Sequence, residues 1–98
     1  MTRRATWTAR ARSDLARIDS YIGARNPAAA ERVLERILAA TERTAAHPRL
    51  GRIVPERGRE DLRESIEGKY RVVYRIVGSG VEIITVFHGA REFPDDVK

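Results

Sequence analysis

The chain has 98 residues, of which 42% are hydrophobic and 34% are charged, so we expect one domain, residues 1–98, around one core. It has no run of roughly 20 apolar residues, as a membrane span needs, and no apolar signal core near residue 1. Because it has no cysteine, disulfides and thiolate metal sites are excluded, and we expect a soluble cytoplasmic protein.

The net charge of +5 comes from arginine, because only Lys69 and Lys98 among the 19 basic residues are lysines. The planar guanidinium makes two-point contacts with carboxylates and phosphates, which fits an acidic protein partner or nucleic acid. A GC-rich genome and solvated helix faces would give the same composition. The charge therefore leaves direct nucleic-acid binding open.

The chain begins with a predicted strand and a predicted helix. Residues 4–8 alternate and include β-favouring residues, which predicts a short strand. Thr8 then occupies an N-cap position, and apolar residues follow at spacings of three and four. These spacings predict a helix from about residue 9 to residue 24.

A second helix follows after a tight link. Asn26 is a preferred N-cap, and Pro27 suits the first helical position. An apolar stripe then continues to about residue 46. The two helices predict an antiparallel hairpin. His47 stands before Pro48 at the helix end, where capping explains it and no chemistry is assigned to it.

Residues 48–60 predict a loop. This segment is the most basic of the chain, with two prolines, two glycines and the four arginines Arg49, Arg52, Arg57 and Arg59.

The second half of the chain predicts three strands, in the ranges 61–66, 71–77 and 81–88. Gly78, Ser79 and Gly80 form a connection typical of a hairpin between the last two. We expect an antiparallel sheet of three or four strands, the fourth supplied by residues 4–8. Residues 89–98 are mostly polar and are predicted to lie outside the sheet.

The resulting order, β-α-α-β-β-β, predicts an α+β fold with the helical hairpin packed on one face of the sheet. In the strand 71–77, Val72, Tyr74 and Ile76 alternate with Arg71 and Arg75. We expect the helices to cover the apolar face, with Tyr74 in the core.

The arginines permit two interpretations. Arg71 and Arg75 would point the same way, and an anion-binding surface would combine them with Arg49, Arg52 and Arg91. Alternatively, they lie on an exposed sheet face and form ion pairs with its carboxylates, the candidates being Glu64, Glu67 and Glu82. The sequence does not separate these two possibilities.

Other candidate groups are few. Tyr70, between Lys69 and Arg71, is the tyrosine best placed to contact a ligand, since Tyr21 only borders the first helix's apolar stripe. The ordinary pKa of a histidine side chain lies near neutrality, which makes His88 a candidate proton carrier. The alternative role for His88 is a structural hydrogen bond at a strand end. The histidines show no ligand spacing, so we expect no metal and no cofactor.

Taken in order, five groups of residues resemble the ParE/RelE toxin superfamily over residues 5–92. They are Ala11, Asp14-Leu15, Ile18 and Tyr21-Ile22; Asn26-Pro27; His47-Pro48-Arg49-Leu50-Gly51; Tyr70-Arg71-Val72-Val73-Tyr74-Arg75; and Val86-Phe87-His88-Gly89-Ala90-Arg91.

The resemblance implies a toxin with a small sheet packed on a helical hairpin and a cognate antitoxin that wraps it. Two activities divide the superfamily: RelE-like members cut messenger RNA on the ribosome, and ParE-like members poison DNA gyrase. Arg71 and Arg91 match two phosphate-contacting arginines of RelE-like enzymes. The lysines of those enzymes are replaced by residues 62–65, and their terminal tyrosine by residues 94–97.

The absence of those lysines and of the terminal tyrosine favours a ParE-like toxin, with DNA gyrase as target and a ParD-like antitoxin as partner. The alternative is a ribosome-dependent endoribonuclease that uses Arg71, Arg91 and His88. A third reading, a nucleic-acid-binding module without toxicity, explains the charge but not the order of the motifs. We also expect an exposed apolar groove, bordered by arginines, for an antitoxin helix.

Overall fold

The structure is a computed structural model that describes residues 4–98. Its elements in chain order are β1 (Ala5–Trp7), α1 (Ala9–Gly23), α2 (Pro27–Ala46), β2 (Arg52–Ile53), β3 (Leu62–Glu67), β4 (Tyr70–Val77) and β5 (Gly80–His88).

Both helices begin at the predicted caps. The Thr8 hydroxyl accepts a hydrogen bond from the backbone N–H of Ala11 at 3.0 Å. The side-chain oxygen of Asn26 accepts one from Ala29 N–H at 3.1 Å, and Pro27 is the first residue of α2. These bonds satisfy donors that have no partner within the helix. The predicted helical hairpin is therefore confirmed.

The sheet has five strands in the order β1-β5-β4-β3-β2. Neighbouring strands are antiparallel, except that β1 runs parallel to β5. The α+β class is confirmed, whereas the prediction of three or four antiparallel strands is wrong in two respects. A tight turn between two strands makes them antiparallel. No tight turn joins β1 to β5, so the sequence did not indicate that these two strands are parallel. The extra strand, β2, has two residues and therefore shows no periodicity.

The main core lies between the helical hairpin and the sheet, as predicted. Ile37 of α2, Tyr74 of β4 and Ile83 of β5 are completely buried there. Burying a side chain of this size stabilises the fold by roughly 1.5 to 3 kcal/mol. The hairpin therefore holds one face of β4 and β5 rigidly.

A second core covers the opposite face of the sheet. Leu62, Val73 and Phe87 lie beneath Phe93 and Val97, all of them buried. The prediction that residues 89–98 lie outside the sheet is confirmed, but the sequence did not show that this segment packs against the sheet. They form no strand, but two apolar side chains four residues apart anchor this mostly polar segment on the sheet.

The hydroxyl of Tyr74 joins the loop after α2 to the sheet. It accepts a hydrogen bond from Gly51 N–H at 2.9 Å and donates one to the carbonyl of Pro48 at 2.7 Å. A Cβ atom on Gly51 would lie 2.4 Å from this oxygen, so the close approach requires glycine. Tyr74 belongs to the core, as predicted, and its polar atom is fully used.

Tyr74→Phe should lower the free energy of unfolding by about 1 to 3 kcal/mol, because it leaves a backbone donor and acceptor without their partner. Urea denaturation measures this loss. The matched control is Tyr21→Phe, because Tyr21 is 67% exposed and should change stability by less than about 0.5 kcal/mol. Equal effects of the two substitutions would contradict this role of the Tyr74 hydroxyl.

Candidate functional site

The candidate residues Arg71 and His88 lie on opposite faces of the sheet. In the ladder between β4 and β5, Tyr70 pairs with His88 and Arg71 pairs with Phe87. Successive residues of a strand point to opposite faces. Tyr70 packs against the core beneath the helices, whereas Arg71 lies over the ring of Phe87 in the second core.

Arg71 is a buried cation, and each of its three guanidinium nitrogens donates a hydrogen bond to a carboxylate. Its Nε donates to Oε1 of Glu64 at 2.5 Å, and its Nη1 and Nη2 donate to Oε2 and Oε1 of Glu56 at 2.9 and 2.8 Å. Its guanidinium also lies 5.2 Å from the ring centres of Phe87 and Phe93. Only 10% of its side chain is exposed. Arg71 is thus held by the protein itself.

The charges around Arg71 are mutually stabilised. The hydrogen bonds from Arg71 lower the pKa of Glu56 to about 2, and the charges of Arg71 and Arg52 act in the same direction. The hydrogen bonds that Arg71 donates to Glu56 and, to a lesser extent, to Glu64 raise the pKa of Arg71. Glu64 is completely buried, and its Oε2 accepts a second hydrogen bond, from Arg52 Nε at 2.7 Å. Arg52 and Arg71 are thus ion-paired with Glu64, as one of the two interpretations predicted, but Arg71 and Glu64 are buried where that interpretation expected an exposed face.

The Glu56–Arg71 pair should make stability depend on pH in the acid range. The pKa of Glu56 falls from its ordinary 4.5 to about 2 on folding, so its contribution is complete above pH 4.5 and is lost as the pH falls toward 2. Urea denaturation of the wild type and Glu56→Gln should give a stability difference that shrinks between pH 5 and 2.5. A difference independent of pH would contradict the ion pair.

Arg57, which sequence reasoning did not single out as a site residue, fixes the segment that covers this face. Its Nε donates to the carbonyl of Val97 at 2.8 Å and its Nη2 to that of Pro94 at 3.1 Å. Its guanidinium lies 4.7 Å from the ring centre of Phe93. No sequence signal distinguished Arg57 from its neighbours in the basic loop, because its partners are backbone carbonyls.

The remaining predicted arginines do not join Arg71 in one surface. Arg75 donates to the carbonyl of Lys98 at 2.8 Å and lies 3.8 Å from Asp61. Arg49 is exposed in the loop after α2. Arg91 lies on the face of the sheet that α1 covers. The predicted carboxylate partner Glu67 instead binds Arg36 and Arg43 of α2. The five arginines are therefore divided among several environments.

An open groove lies between α1 and the end of the β4–β5 ladder, and we call it the Tyr70 groove. It has a volume of about 360 Å³. Its lining residues are Asp14, Arg17, Ile18, Tyr21, Tyr70, Val86, Phe87, His88 and Arg91. Arg17 and Arg91 flank its apolar and aromatic side chains, which makes it a candidate for the arginine-bordered groove predicted from the sequence.

Two aromatic rings form one wall of the Tyr70 groove. Tyr70 and His88 meet edge to face, with ring centres 5.6 Å apart and an angle of 74° between the rings. His88 Nδ1 accepts a hydrogen bond from Ala90 N–H at 3.0 Å. This bond matches the structural role considered for His88. It also places the proton of a neutral His88 ring on Nε2.

Asp14 of α1 fixes the floor of the groove. Its Oδ2 accepts hydrogen bonds from the Thr85 hydroxyl and from Val86 N–H, beside a register shift in the β4–β5 ladder. Its Oδ1 accepts one from Arg17 at 2.5 Å. Sequence reasoning assigned Asp14 no such role, although a carboxylate between Ala11 and Leu15 on an apolar helix face signals an internal partner.

Within residues 4–98, His, Asp and Glu form no group of three able to hold a metal ion. The same region contains no helix with the length and apolar character needed to cross a bilayer.

The fold and these surfaces define a class of small basic α+β proteins. The second core covers the sheet face opposite the helices, and a groove lined by arginines and aromatic residues is open beside α1. Residues 5–93 match the family model described as the ParE toxin of the type II toxin–antitoxin system parDE. The chain belongs to that family.

A relative supports this assignment, and two solved structures are similar in fold. Toxin RelE2 of Caulobacter vibrioides is 34% identical over 85 residues, which cover 87% of this chain and 93% of that protein. A structure of the chromosomal ParDE toxin–antitoxin system from P. aeruginosa has a TM-score of 0.73 at 17% identity, covering 89% of this chain and 96% of that one. The structure of the toxin–antitoxin complex RelBE2 from Mycobacterium tuberculosis has a TM-score of 0.64 at 24% identity. The match covers 90% of this chain and 99% of that one. Both structures share the fold.

Proposed function

We propose that this type II toxin acts in the cytoplasm by binding DNA gyrase, without cutting RNA, and that a ParD-like antitoxin neutralises it by binding the Tyr70 groove. The proposal selects the ParE-like activity over the RelE-like one. It depends on how the candidate catalytic residues are arranged.

The observation that carries the proposal is the separation of Arg71 from His88. One phosphodiester cannot contact both side chains, because they leave the sheet on opposite faces. The guanidinium nitrogens of Arg71 are also occupied by Glu56 and Glu64. Metal-free RNA cleavage needs a base, an acid and a cation around the same phosphate. Here these groups do not converge.

The positions that hold lysines in RelE-like enzymes support the same choice. Two of the four residues 62–65 that replace those lysines, Leu62 and Glu64, are completely buried, the first in the second core and the second in the ion-pair network. Among residues 94–97, which replace the terminal tyrosine of those enzymes, Val97 packs into the second core. These side chains maintain the fold and supply no proton transfer.

The endoribonuclease remains a second candidate because of one arrangement. His88 and Arg91 both line the Tyr70 groove, so a proton carrier and a cation are neighbours there. A relative, toxin RelE2 of Caulobacter vibrioides, also carries the RelE name. A supercoiling assay with purified DNA gyrase, run beside an RNA-cleavage assay on translating ribosomes, separates the candidates. Our proposal expects inhibition in the first assay alone.

The Tyr70 groove suits an acidic antitoxin segment with apolar anchors. Ile18, Tyr21 and Tyr70 offer apolar contact, while Arg17 and Arg91 stand at the rim. Asp14 does not oppose an acidic ligand strongly, because both of its oxygens already accept hydrogen bonds. An amphipathic helix binding in a groove through its apolar face matches this chemistry.

A double substitution, Arg17→Glu with Arg91→Glu, should slow antitoxin association at least about tenfold at low salt, since rim charges steer the encounter. Stopped-flow measurements between 20 and 500 mM NaCl should show that the wild-type rate falls with salt and the variant rate does not.

Arg32→Glu with Arg59→Glu makes the same change of charge at exposed positions away from the groove. This control should keep most of the wild-type rate. If it slowed association equally, net charge would govern the encounter and the groove would not be the docking site.

A further inference from the structure

The strand β1 lies at one edge of the sheet and directs backbone groups away from it. The carbonyl of Arg4 accepts a hydrogen bond from β5 at 2.9 Å, and the N–H of Thr8 donates one to β5 at 3.1 Å. Alternate residues of a strand direct their backbone groups to the same side. Ala5 and Trp7 therefore direct theirs to the outer edge, where no other strand within residues 4–98 pairs with β1.

These outward groups are placed so that β1 can pair with a second copy of itself. In an antiparallel pair centred on Thr6, Ala5 of each copy lies opposite Trp7 of the other, and each such pair exchanges two backbone hydrogen bonds. The contact has a two-fold axis, which is the commonest symmetry of soluble dimers. The Trp7 carbonyl already accepts a bond from Arg12 Nη1 at 3.2 Å, but a carbonyl oxygen has a second lone pair. The edge is therefore complementary to itself.

A groove beside β1 adds an apolar contact to this pairing. It lies between β1 and α2, has a volume of about 720 Å³, and is lined by Arg4, Ala5, Trp7, Leu38, Thr41, Glu42, Ala45 and Ala46. Leu38 is 44% exposed there. Opposite residues of an antiparallel pair have Cβ atoms about 4.5 to 5.5 Å apart. The Trp7 ring of a second copy would therefore lie beside Ala5, whose small side chain leaves room for it in the groove.

The charges at this groove differ from those at the Tyr70 groove. Arg4 and Glu42 are both exposed, and they give the lining one cation and one anion. Arg17 and Arg91 make the rim of the Tyr70 groove basic. A surface without net charge does not steer an acidic or a basic partner toward itself, whereas a contact between two identical surfaces requires groups of both signs or of neither. The charges thus favour a second copy as the occupant.

We propose that β1 and the groove beside it form a self-association surface, through which two copies of this chain pair edge to edge about Thr6. Their two five-stranded sheets then become one continuous sheet. This surface goes beyond the proposed function, which requires a single copy. Trp7 pairs with Ile83 of β5, and Tyr70 pairs with His88 at the end of the same strand. The self-association surface and the Tyr70 groove are therefore roughly 17 Å apart along β5.

Sedimentation velocity of the full-length chain, over a series of concentrations, should show an equilibrium between monomer and dimer. Ala5→Pro removes an outward N–H, which an edge strand tolerates. It should weaken dimerisation at least about tenfold, because the symmetric contact loses this hydrogen bond twice.

Ile53→Pro is the matched control, because it makes the same kind of change at the other edge of the sheet. The N–H of Val54 bonds to β3, so that of Ile53 faces outward. This control should dimerise like the wild type. A wild-type chain that stays monomeric at every concentration, or equal losses in Ala5→Pro and Ile53→Pro, would overturn the proposal.

Thr6 provides a second test that keeps every backbone group. Its exposed side chain would lie opposite Thr6 of the second copy, where like charges destabilise a strand pair. Thr6→Lys and Thr6→Glu should each dimerise more weakly than the wild type, and an equimolar mixture of these two variants should recover dimerisation. A mixture that associates no better than either variant alone would exclude pairing about Thr6.

Amide hydrogen exchange separates a second copy from another occupant of the edge. The amides of Ala5 and Trp7 should become better protected as the concentration of the chain alone rises. Protection that appears only when the antitoxin is added would assign this edge to the antitoxin and refute self-association.

Discussion

Induced expression of the wild-type chain without antitoxin should stop growth with DNA damage and filamentation while messenger RNA stays intact. His88→Ala should retain this toxicity within about twofold, because a toxin that acts by binding needs no proton carrier. In a nuclease that used His88 as acid or base, the same change would cost roughly 100 to 10,000-fold in cleavage. The two mechanisms therefore predict opposite results for one substitution.

The measurement combines three readouts on each strain: colony survival, a map of RNA 5′ ends, and supercoiling by gyrase in the presence of the purified chain. His47→Ala is the matched control, since His47 caps α2 away from the Tyr70 groove. Codon-phased cuts that disappear in His88→Ala, together with unaffected gyrase, would refute the gyrase proposal and establish the endoribonuclease. Arg91→Ala does not discriminate, because a cation in the groove serves either mechanism.

Local patterns in the sequence were sufficient for most of the fold. Thr8 and Asn26 mark the helix starts by their capping chemistry, and the structure uses both residues in that way. The strands 71–77 and 81–88 were found within one residue of β4 and β5, because period-two alternation and a glycine turn define a hairpin. Tyr74 was placed in the core by the same alternation, and it is completely buried.

Features that depend on contacts between residues far apart in the chain could not be predicted from local sequence patterns. A two-residue strand such as β2 has no period, and the burial of Phe93 and Val97 depends on a sheet face formed elsewhere in the chain. The alternation along β4 correctly predicted that Arg71 and Arg75 share a face. The alternation did not show that Arg71 would form ion pairs with Glu56 and Glu64. The sequence therefore predicted which residue types form the candidate site, and the structure corrected which of them lie together.

The burial of Arg71 leads to the largest expected effect on stability. Arg71→Met leaves Glu64 buried with only Arg52 as a charged partner and removes the cation that lies between two phenylalanine rings. Removing one partner of a buried ion pair typically costs about 3 to 5 kcal/mol, a large part of the roughly 5 to 15 kcal/mol that stabilises a small domain. Urea denaturation near neutral pH should show this loss.

Two comparisons identify the cause of that loss. Arg75→Met removes a more exposed arginine from the same strand, one that lies 3.8 Å from its carboxylate partner, and should cost less than about 1 kcal/mol. Adding Glu56→Gln and Glu64→Gln to Arg71→Met removes the uncompensated charges and should recover part of the loss. If the triple variant were no more stable than Arg71→Met, lost packing against Phe87 and Phe93 would be the main cause. The ion pairs would then contribute little to holding the second core on the sheet.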